Sequence, residues 1–381
     1  MMYISRSMKR SQTEKIIQDL PKKIVFLVGP RQVGKTWLAK EIASGFENAV
    51  YLNYDHLSDR EIIREEAWRE KTELLVLDEL HKMPDWKNYL KGVFDTRQPH
   101  LKILVTGSAR LDFMRQSGES LAGRFFAHRL LPFSLRELEG TPFAGDLERL
   151  IERSGFPEPF LAKDPLDAER WRRQYVDGLV RADILDFETI HDFRAMMLLL
   201  AMLRQRVGSP ISHTSIARDI GISPSTVIKY IQILESLYII FRVTPWSHNI
   251  ARSLLREPKI YFFDTGMVDG NAGVRFENCV AVSLLKHLYG LADYRGEEWG
   301  LYYVRTKDGR EVDFCLVKKN TLKSLIECKT SEKTVSPHLH YFCEKYRLKG
   351  VQAVQELRTE RSAGGFIEVR RASQYLKELS M

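Results

Sequence analysis

Residues Gly29, Pro30, Arg31, Gln32, Val33, Gly34, Lys35 and Thr36 fill every defined position of the pattern GxxxxGK[ST]. Glycines at the first and sixth positions let successive backbone N–H groups curl around phosphate oxygens, and a helix opening at Lys35 adds the positive end of its dipole. Lys35 is then placed to reach β- and γ-phosphates, and the Thr36 hydroxyl to ligate Mg²⁺. Taken alone, the eight residues are also compatible with a turn that binds nothing. A second feature argues against that. The run LLVL at 74–77 reads as a buried strand and ends in Asp78 and Glu79. A core strand has no reason to end in adjacent carboxylates unless something binds them. Asp78 is suited to hold Mg²⁺ through water, and Glu79 to polarise a water attacking a γ-phosphate. A third strand ends in Thr106, Gly107 and Ser108, which brings small polar groups to the same carboxyl edge, where ligands of open α/β sheets sit. Three strand ends thus converge on a Mg²⁺–ATP site.

A second set of chemical groups lies far downstream. Asp313 stands in one apolar alternation, before Phe314, and Glu327, Cys328 and Lys329 follow in the next. In a strand, Glu327 and Lys329 share one face while Cys328 takes the other. With Asp313 on the adjacent strand, two hard oxygen ligands suit Mg²⁺, and the ammonium can position a hydroxide or offset charge on a scissile phosphate. Upstream, Glu277 falls on the apolar helical stripe of Val280, Ala281, Leu284 and Leu285. A carboxylate there is costly without a partner, such as a metal or Lys329. The set Glu277, Asp313, Glu327-x-Lys329 resembles the PD-(D/E)xK nuclease core. Three readings stay open: a cleaving site, an inherited fold that binds nucleic acid without cleaving it, and a hairpin whose charges are a solvated face.

The elements that must position these groups are legible in the hydrophobic pattern. Residues 23–28 (KIVFLV), 49–53, 74–77 and 103–106 (ILVT) read as strands buried on both faces, separated by helical stretches at 35–44, 60–70 and 85–94. That alternation predicts a doubly wound parallel α/β sheet. From about 155 to 203 the pattern turns helical. A helix–turn–helix cadence follows, with Ser212 or Thr214 capping a first helix, Gly221 at the turn, and Ser223 and Pro224 opening a second helix. Val227, Tyr230, Ile231, Leu234 and Leu237 recur along that helix at helical spacing, and residues 238–243 read as the first strand of a wing. The second helix turns Ser223, Ser225, Thr226 and Lys229 outward, with Arg218 before it and Arg242 in the wing. These suit contacts to a nucleic-acid backbone better than base reading. Residues 301–330 alternate with period two around turns at Asp308-Gly309 and Lys319-Asn320, a β-meander.

Composition sets the frame. The 381 residues, at about 100–200 per domain, accommodate two to three domains. Hydrophobic residues at 44% and charged residues at 28% provide ordinary cores and argue against global disorder. The net charge of +8 favours phosphate-rich partners only weakly. Cys279, Cys315, Cys328 and Cys343 form no CxxC pair, which disfavours structural zinc and a disulfide framework. The first fifteen residues have no signal-like apolar stretch and no apolar run is long enough for a membrane, so a soluble cytoplasmic protein is expected.

GPRQVGKT, LLVLDE, ILVTGSA and SLAGRFFAHRLLPFSLREL are similar to the AAA-type ATPases of bacteria and archaea that carry a C-terminal domain of unknown function. The resemblance implies an AAA+ P-loop core (1–145), a helical lid (146–205), a winged helix (206–250) and a C-terminal α/β restriction-endonuclease-like domain (251–381). It implies a sensor role for Ser108. It also makes Arg124 a candidate to touch the γ-phosphate, in trans in a homo-oligomer, with Arg129 as a second candidate and a surface ion pair as the alternative for Arg124. The expected function is Mg²⁺-dependent ATP hydrolysis coupled to nucleic acid, DNA before RNA. The alternatives are a slow ATP-dependent signalling switch with a non-cleaving C-terminal domain, and a transcription regulator acting through the winged helix alone.

Overall fold

Five short runs rich in branched and aromatic side chains build the first sheet of the computed structural model, which describes residues 8–107, 121–179, 192–247, 257–331 and 334–379. They are β1 (Ile24–Val28), β2 (Ala49–Asn53), β3 (Leu74–Asp78), β4 (Lys102–Thr106) and β5 (Phe125–Arg129). The spatial order is β2-β3-β4-β1-β5 and every pairing is parallel. Every residue of β1 and β3 is buried, as their unbroken apolar sequence requires. Helices α1 (Thr13–Asp19), α2 (Lys35–Ala43), α3 (Leu57–Glu65) and α4 (Trp86–Thr96) accompany the strands. Ile63, Leu90 and Val93 from these helices pack against Ile24, Leu75 and Ile103 of the sheet. This unit comprises Met8–Leu131 with Ser236–Tyr238. The sheet has one strand more than its hydrophobic pattern suggests. β5 (FFAHR) was hidden by its partly buried, mixed composition, and its ladder with β1 from Ile24↔Phe125 to Val28↔Arg129 is what defines it.

The second unit comprises Pro132–Glu235 with Ile239–Met381. Its helices are α5 (Leu147–Arg153), α6 (Pro157–Leu161), α7 (Pro165–Leu179), α8 (Phe193–Gln205), α9 (His213–Ile220), α10 (Pro224–Ser236), α11 (Ala272–Arg295), α12 (Pro337–Tyr346) and α13 (Ala372–Glu378). Its strands are β6 (Ile240–Pro245), β7 (Lys259–Phe262), β8 (Trp299–Arg305), β9 (Glu311–Lys318), β10 (Thr321–Ser331), β11 (Gly350–Glu356), β12 (Arg361–Ala363) and β13 (Ile367–Arg371). They form one mixed sheet in the order β12-β13-β11-β10-β9-β8-β6-β7. The β8–β9–β10 meander follows the expected alternation. Lys319 and Asn320 both adopt positive φ (45° and 59°), the backbone a tight hairpin with right-handed strand twist needs.

The helix–turn–helix segment folds as α9 and α10, with local chemistry that explains both ends. The Ser212 side chain accepts the Ser215 N–H, Gly221 closes α9 at φ 83°, and the Ser223 hydroxyl accepts the Thr226 N–H at 3.1 Å. The strand after α10 pairs antiparallel with the next strand, and also extends the C-terminal sheet. β6 pairs antiparallel with β7 and parallel with β8, and so belongs to the large sheet. The expected boundary at 250 therefore falls between two paired strands, and the one expected at 145 lies past the division of the units at Leu131/Pro132.

Candidate functional site

Parallel register puts the chemistry of the first unit at one edge. Asp78 ends β3 opposite Thr106 of β4, and Gly29 follows the end of β1. Gly29 has φ +142°, and a Cβ there would lie 2.1 Å from the Leu130 carbonyl oxygen, so only glycine fits between strand end and loop. Gln32 and Gly34 continue the loop in left-handed conformations (φ 57° and 99°), while Val33 is buried beneath it. Lys35 opens α2, and its ammonium donates back to the carbonyls of Gly29 (3.0 Å) and Pro30 (2.6 Å). The loop is thus held curled by the residue that would meet the phosphates.

The Thr36 hydroxyl donates to Asp78 Oδ2 at 2.9 Å, Tyr51 donates to the same oxygen at 2.5 Å, and Thr106 donates to Oδ1. Asp78 is 2% exposed. Three hydroxyls therefore hold one buried carboxylate beside an accessible threonine, a pair of hard oxygen donors that fits Mg²⁺. Sequence reasoning missed Tyr51. Its position on the neighbouring strand, two residues before Asn53, the register partner of Asp78, becomes visible only after β2 and β3 are paired. Glu79 adopts φ 56°, which turns its side chain out of the strand path. Burial holds its carboxyl above the ordinary range, against the pull of Lys82. His81 and Lys82 stand 3.6 and 3.5 Å from it.

Ser108 lies outside the described residues. Arg124 sits elsewhere: the Ile24 N–H donates to its carbonyl, at the start of β1. Five residues of strand, about 16 Å, separate that edge from the loop. Its guanidinium makes a two-pronged contact with Asp95 at 2.8 and 3.0 Å. Arg129, by contrast, ends β5 level with Val28, the residue before the loop.

In the second unit the sheet splits. β9 and β10 pair from Lys318↔Thr321 to Phe314↔Ile326. Past that point β9 stays with β8 through Val312 and Glu311, and β10 stays with β11 through Cys328 and Lys329. The Cys328 N–H is taken by Asp313 Oδ2 at 2.8 Å. Glu277 of α11, Asp313, Glu327 and Lys329 meet at this split. Lys329 reaches Glu327 Oε1 at 2.8 Å, while Glu327 Oε2 is buried with no hydrogen-bond partner. Among the described residues no group of three or more His, Cys, Asp or Glu side chains is arranged to hold a metal. The orphaned Glu327 oxygen beside Asp313 nonetheless fits a cation held by these two carboxylates.

Three further members were not read from sequence. Lys259 of β7 is 1% exposed and reaches Glu311 at 2.7 Å and Glu277 at 3.6 Å; Tyr261 donates to Glu277 Oε1 at 2.6 Å. The signal was available: a lysine inside the apolar run KIYFF is as costly as a carboxylate on a helical stripe. Burial alone would lower the Lys259 pKa, but Glu277, Asp313 and Glu311 hold it above its ordinary value. Burial, then the Asp313 charge, push Glu277 up to about 7, and burial and the Glu327 charge do the same to Asp313. A carboxyl raised in this way binds its proton more tightly folded than unfolded. Its stability contribution is greatest in acid and is lost as pH rises through about 7. In EDTA, the second unit should gain about 1–2 kcal/mol between pH 8 and pH 6 from this pair. Urea unfolding at the two pH values measures this, and Glu277→Gln should shrink the difference.

Residues 21–139 match the family described as the AAA domain. Residues 144–276 and 272–369 match two domains of unknown function, DUF8612 and DUF4143. An uncharacterized protein of Mycobacterium tuberculosis is 28% identical over 256 residues, covering 66% of this chain; the match spans only 56% of that relative's length. An uncharacterized protein of Methanocaldococcus jannaschii is 24% identical over 349 residues, covering 82% of this chain and 75% of the relative. Among solved structures, the Walker-type ATPase of Pyrococcus abyssi matches 68% of this chain and 93% of its own, at 15% identity and a TM-score of 0.44. The Thermotoga maritima RuvB Holliday junction branch migration motor matches 63% and 91%, at 16% identity and a TM-score of 0.31. The chain thus carries an AAA-type P-loop ATPase domain followed by two domains of unknown function. No helix among the described residues is long and apolar enough to cross a membrane.

Proposed function

We propose that this chain is a Mg²⁺-dependent ATPase whose nucleotide cycle governs how its second unit engages nucleic acid, DNA in the first instance. The observation that carries the ATPase reading is the contact of Thr36 with Asp78 at 2.9 Å, which joins loop and strand end into one cation-binding edge. Lys35, on exchanging the Gly29 and Pro30 carbonyls for phosphate oxygens, ties the loop to the β- and γ-phosphates. Bound Mg²⁺ supplies charge neutralisation at the phosphates. Glu79 orients the attacking water, and burial raises its proton affinity above that of an ordinary carboxylate. Arg124 is about one strand length from its own chain's loop, so any role on a γ-phosphate requires a second copy.

The nucleic-acid reading is supported by the split between β9 and β10, where Asp313, Glu327 and Lys329 meet. It is also supported by Ser225 and Lys229 on α10 and by the net charge of +8. A binding-only second unit is the alternative, favoured by Lys329 being engaged by Glu327. Two measurements separate these readings. Affinity for labelled mixed-sequence DNA should fall linearly on a log–log plot as salt rises. Cleavage of single- and double-stranded DNA with Mg²⁺ or Mn²⁺, with and without ATP, should disappear in Lys329→Ala. Intact DNA in every condition beside normal ATP turnover would leave the binding-only reading, and no DNA binding at low salt would remove nucleic acid from the proposal.

A further inference from the structure

The carboxylates at the β9–β10 split are not equivalent. Glu277 Oε1 has the Tyr261 hydroxyl at 2.6 Å and the Lys259 ammonium at 3.6 Å. Glu311 Oε1 has Lys259 at 2.7 Å, and its other oxygen has Arg305 at 3.5 Å. Both are neutralised by cations of the protein. Asp313 has one oxygen on the Cys328 N–H, and Glu327 has Oε2 buried without any partner. Lys259 is 1% exposed and comes from β7, three positions from β9 in the sheet, so its ammonium is held among these carboxylates and not presented at the surface. A buried ammonium among carboxylates plays the electrostatic part that a bound cation plays elsewhere: it makes their close approach tolerable.

We propose that Lys259 is a built-in cation of this site, which holds Glu277 and Glu311 in place and leaves a single divalent-cation position at Asp313 and Glu327. Glu277 is then a positioning residue, not a metal ligand. The second half of the inference rests on the reading of Asp313 and Glu327 as cation ligands; the first half does not. Removing the Lys259 charge leaves Glu277 and Glu311 facing each other and Asp313 without their shared counter-ion, and a divalent cation can then enter the vacated position.

The test uses the full chain carrying Lys35→Ala, which silences the nucleotide-site lysine, with MnCl₂ as the probe. Melting in EDTA should fall by about 5–15 °C in Lys259→Met, should be largely retained in Lys259→Arg, and should recover in Lys259→Met on adding millimolar Mn²⁺ by more than in the parent. Calorimetric titration of the parent, with Thr36→Ala added to remove the Thr36–Asp78 edge, should give one Mn²⁺ per chain. That binding should weaken by more than about tenfold in Glu327→Gln and change little in Glu277→Gln. A Lys259→Met protein as stable in EDTA as its parent, or one that Mn²⁺ stabilises no better, overturns the built-in cation. Loss of Mn²⁺ binding in Glu277→Gln overturns the positioning role. A parent that binds no Mn²⁺, yet is destabilised by Lys259→Met, retains the built-in cation and overturns the divalent position alone, which identifies the failure as that of the earlier reading. If Lys259→Met does not fold, soluble Lys259→Arg with parental melting and unchanged Mn²⁺ stoichiometry supports the proposal, and Lys259→Arg that fails likewise counts against a role for charge alone.

Discussion

Lys35→Ala is expected to abolish Mg²⁺-dependent ATP turnover and to weaken nucleotide binding by at least about tenfold, whereas Glu79→Gln is expected to keep binding and lose turnover. The lysine substitution removes charge-assisted hydrogen bonds to phosphate, each worth about 1.5–3 kcal/mol. It also removes the donor that curls the loop through the Gly29 and Pro30 carbonyls. Both effects act on binding, so affinity falls along with rate. Glu79 contacts neither the loop nor Asp78 through a hydrogen bond of its side chain; it lies near His81 and Lys82. Its amide replacement keeps the shape and removes the base, a loss of about 10²–10⁴-fold in rate. Steady-state phosphate release and binding of a fluorescent ATP analogue separate the two. Turnover unchanged in both variants would sink the ATPase assignment. Turnover lost in Glu79→Gln together with binding would move Glu79 from catalysis to architecture.

The second large effect concerns folding. Lys286 of α11 and Glu137 are each about 1% exposed and face each other, with Lys286 also donating to the Pro132 carbonyl at 2.8 Å. Glu137 in turn accepts the Ser134 N–H at 3.2 Å. One buried ammonium therefore fixes the turn at 134–137 against the long helix of the same unit. Lys286→Met is expected to cost about 3–5 kcal/mol, because it takes the buried ammonium away from a buried carboxylate. The double variant Lys286→Met, Glu137→Leu should recover most of that loss, since apolar pairs of similar volume replace buried ion pairs at little net cost. Urea unfolding of the three proteins measures both numbers. A single variant within 1 kcal/mol of wild type would show that water or other groups satisfy Glu137.

These two sites differ in how far they could be read beforehand. The nucleotide loop is eight contiguous residues whose conformation is set by its own glycines and by the helix that follows, so type and spacing suffice. The same holds for Asp78 and Glu79 at the end of an unbroken apolar strand, for the Ser212 and Ser223 caps, and for the Lys319-Asn320 turn. Glu277, Asp313, Glu327 and Lys329 were legible as a set because period-two and period-3.6 patterns assign faces within each element. Other features were decided elsewhere. Tyr51 meets Asp78 because β2 pairs with β3, β6 is joined to β8 as well as to β7, and Arg124 is carried to the edge away from the loop by the direction of β5. Lys259 and Lys286 find Glu311 and Glu137 across 52 and 149 positions of sequence. Backbone geometry propagates over a few residues and can be read from their side chains. Which strand lies beside which, and which buried charge meets which, depends on the free energy of burying the whole unit, and only the folded chain resolves that.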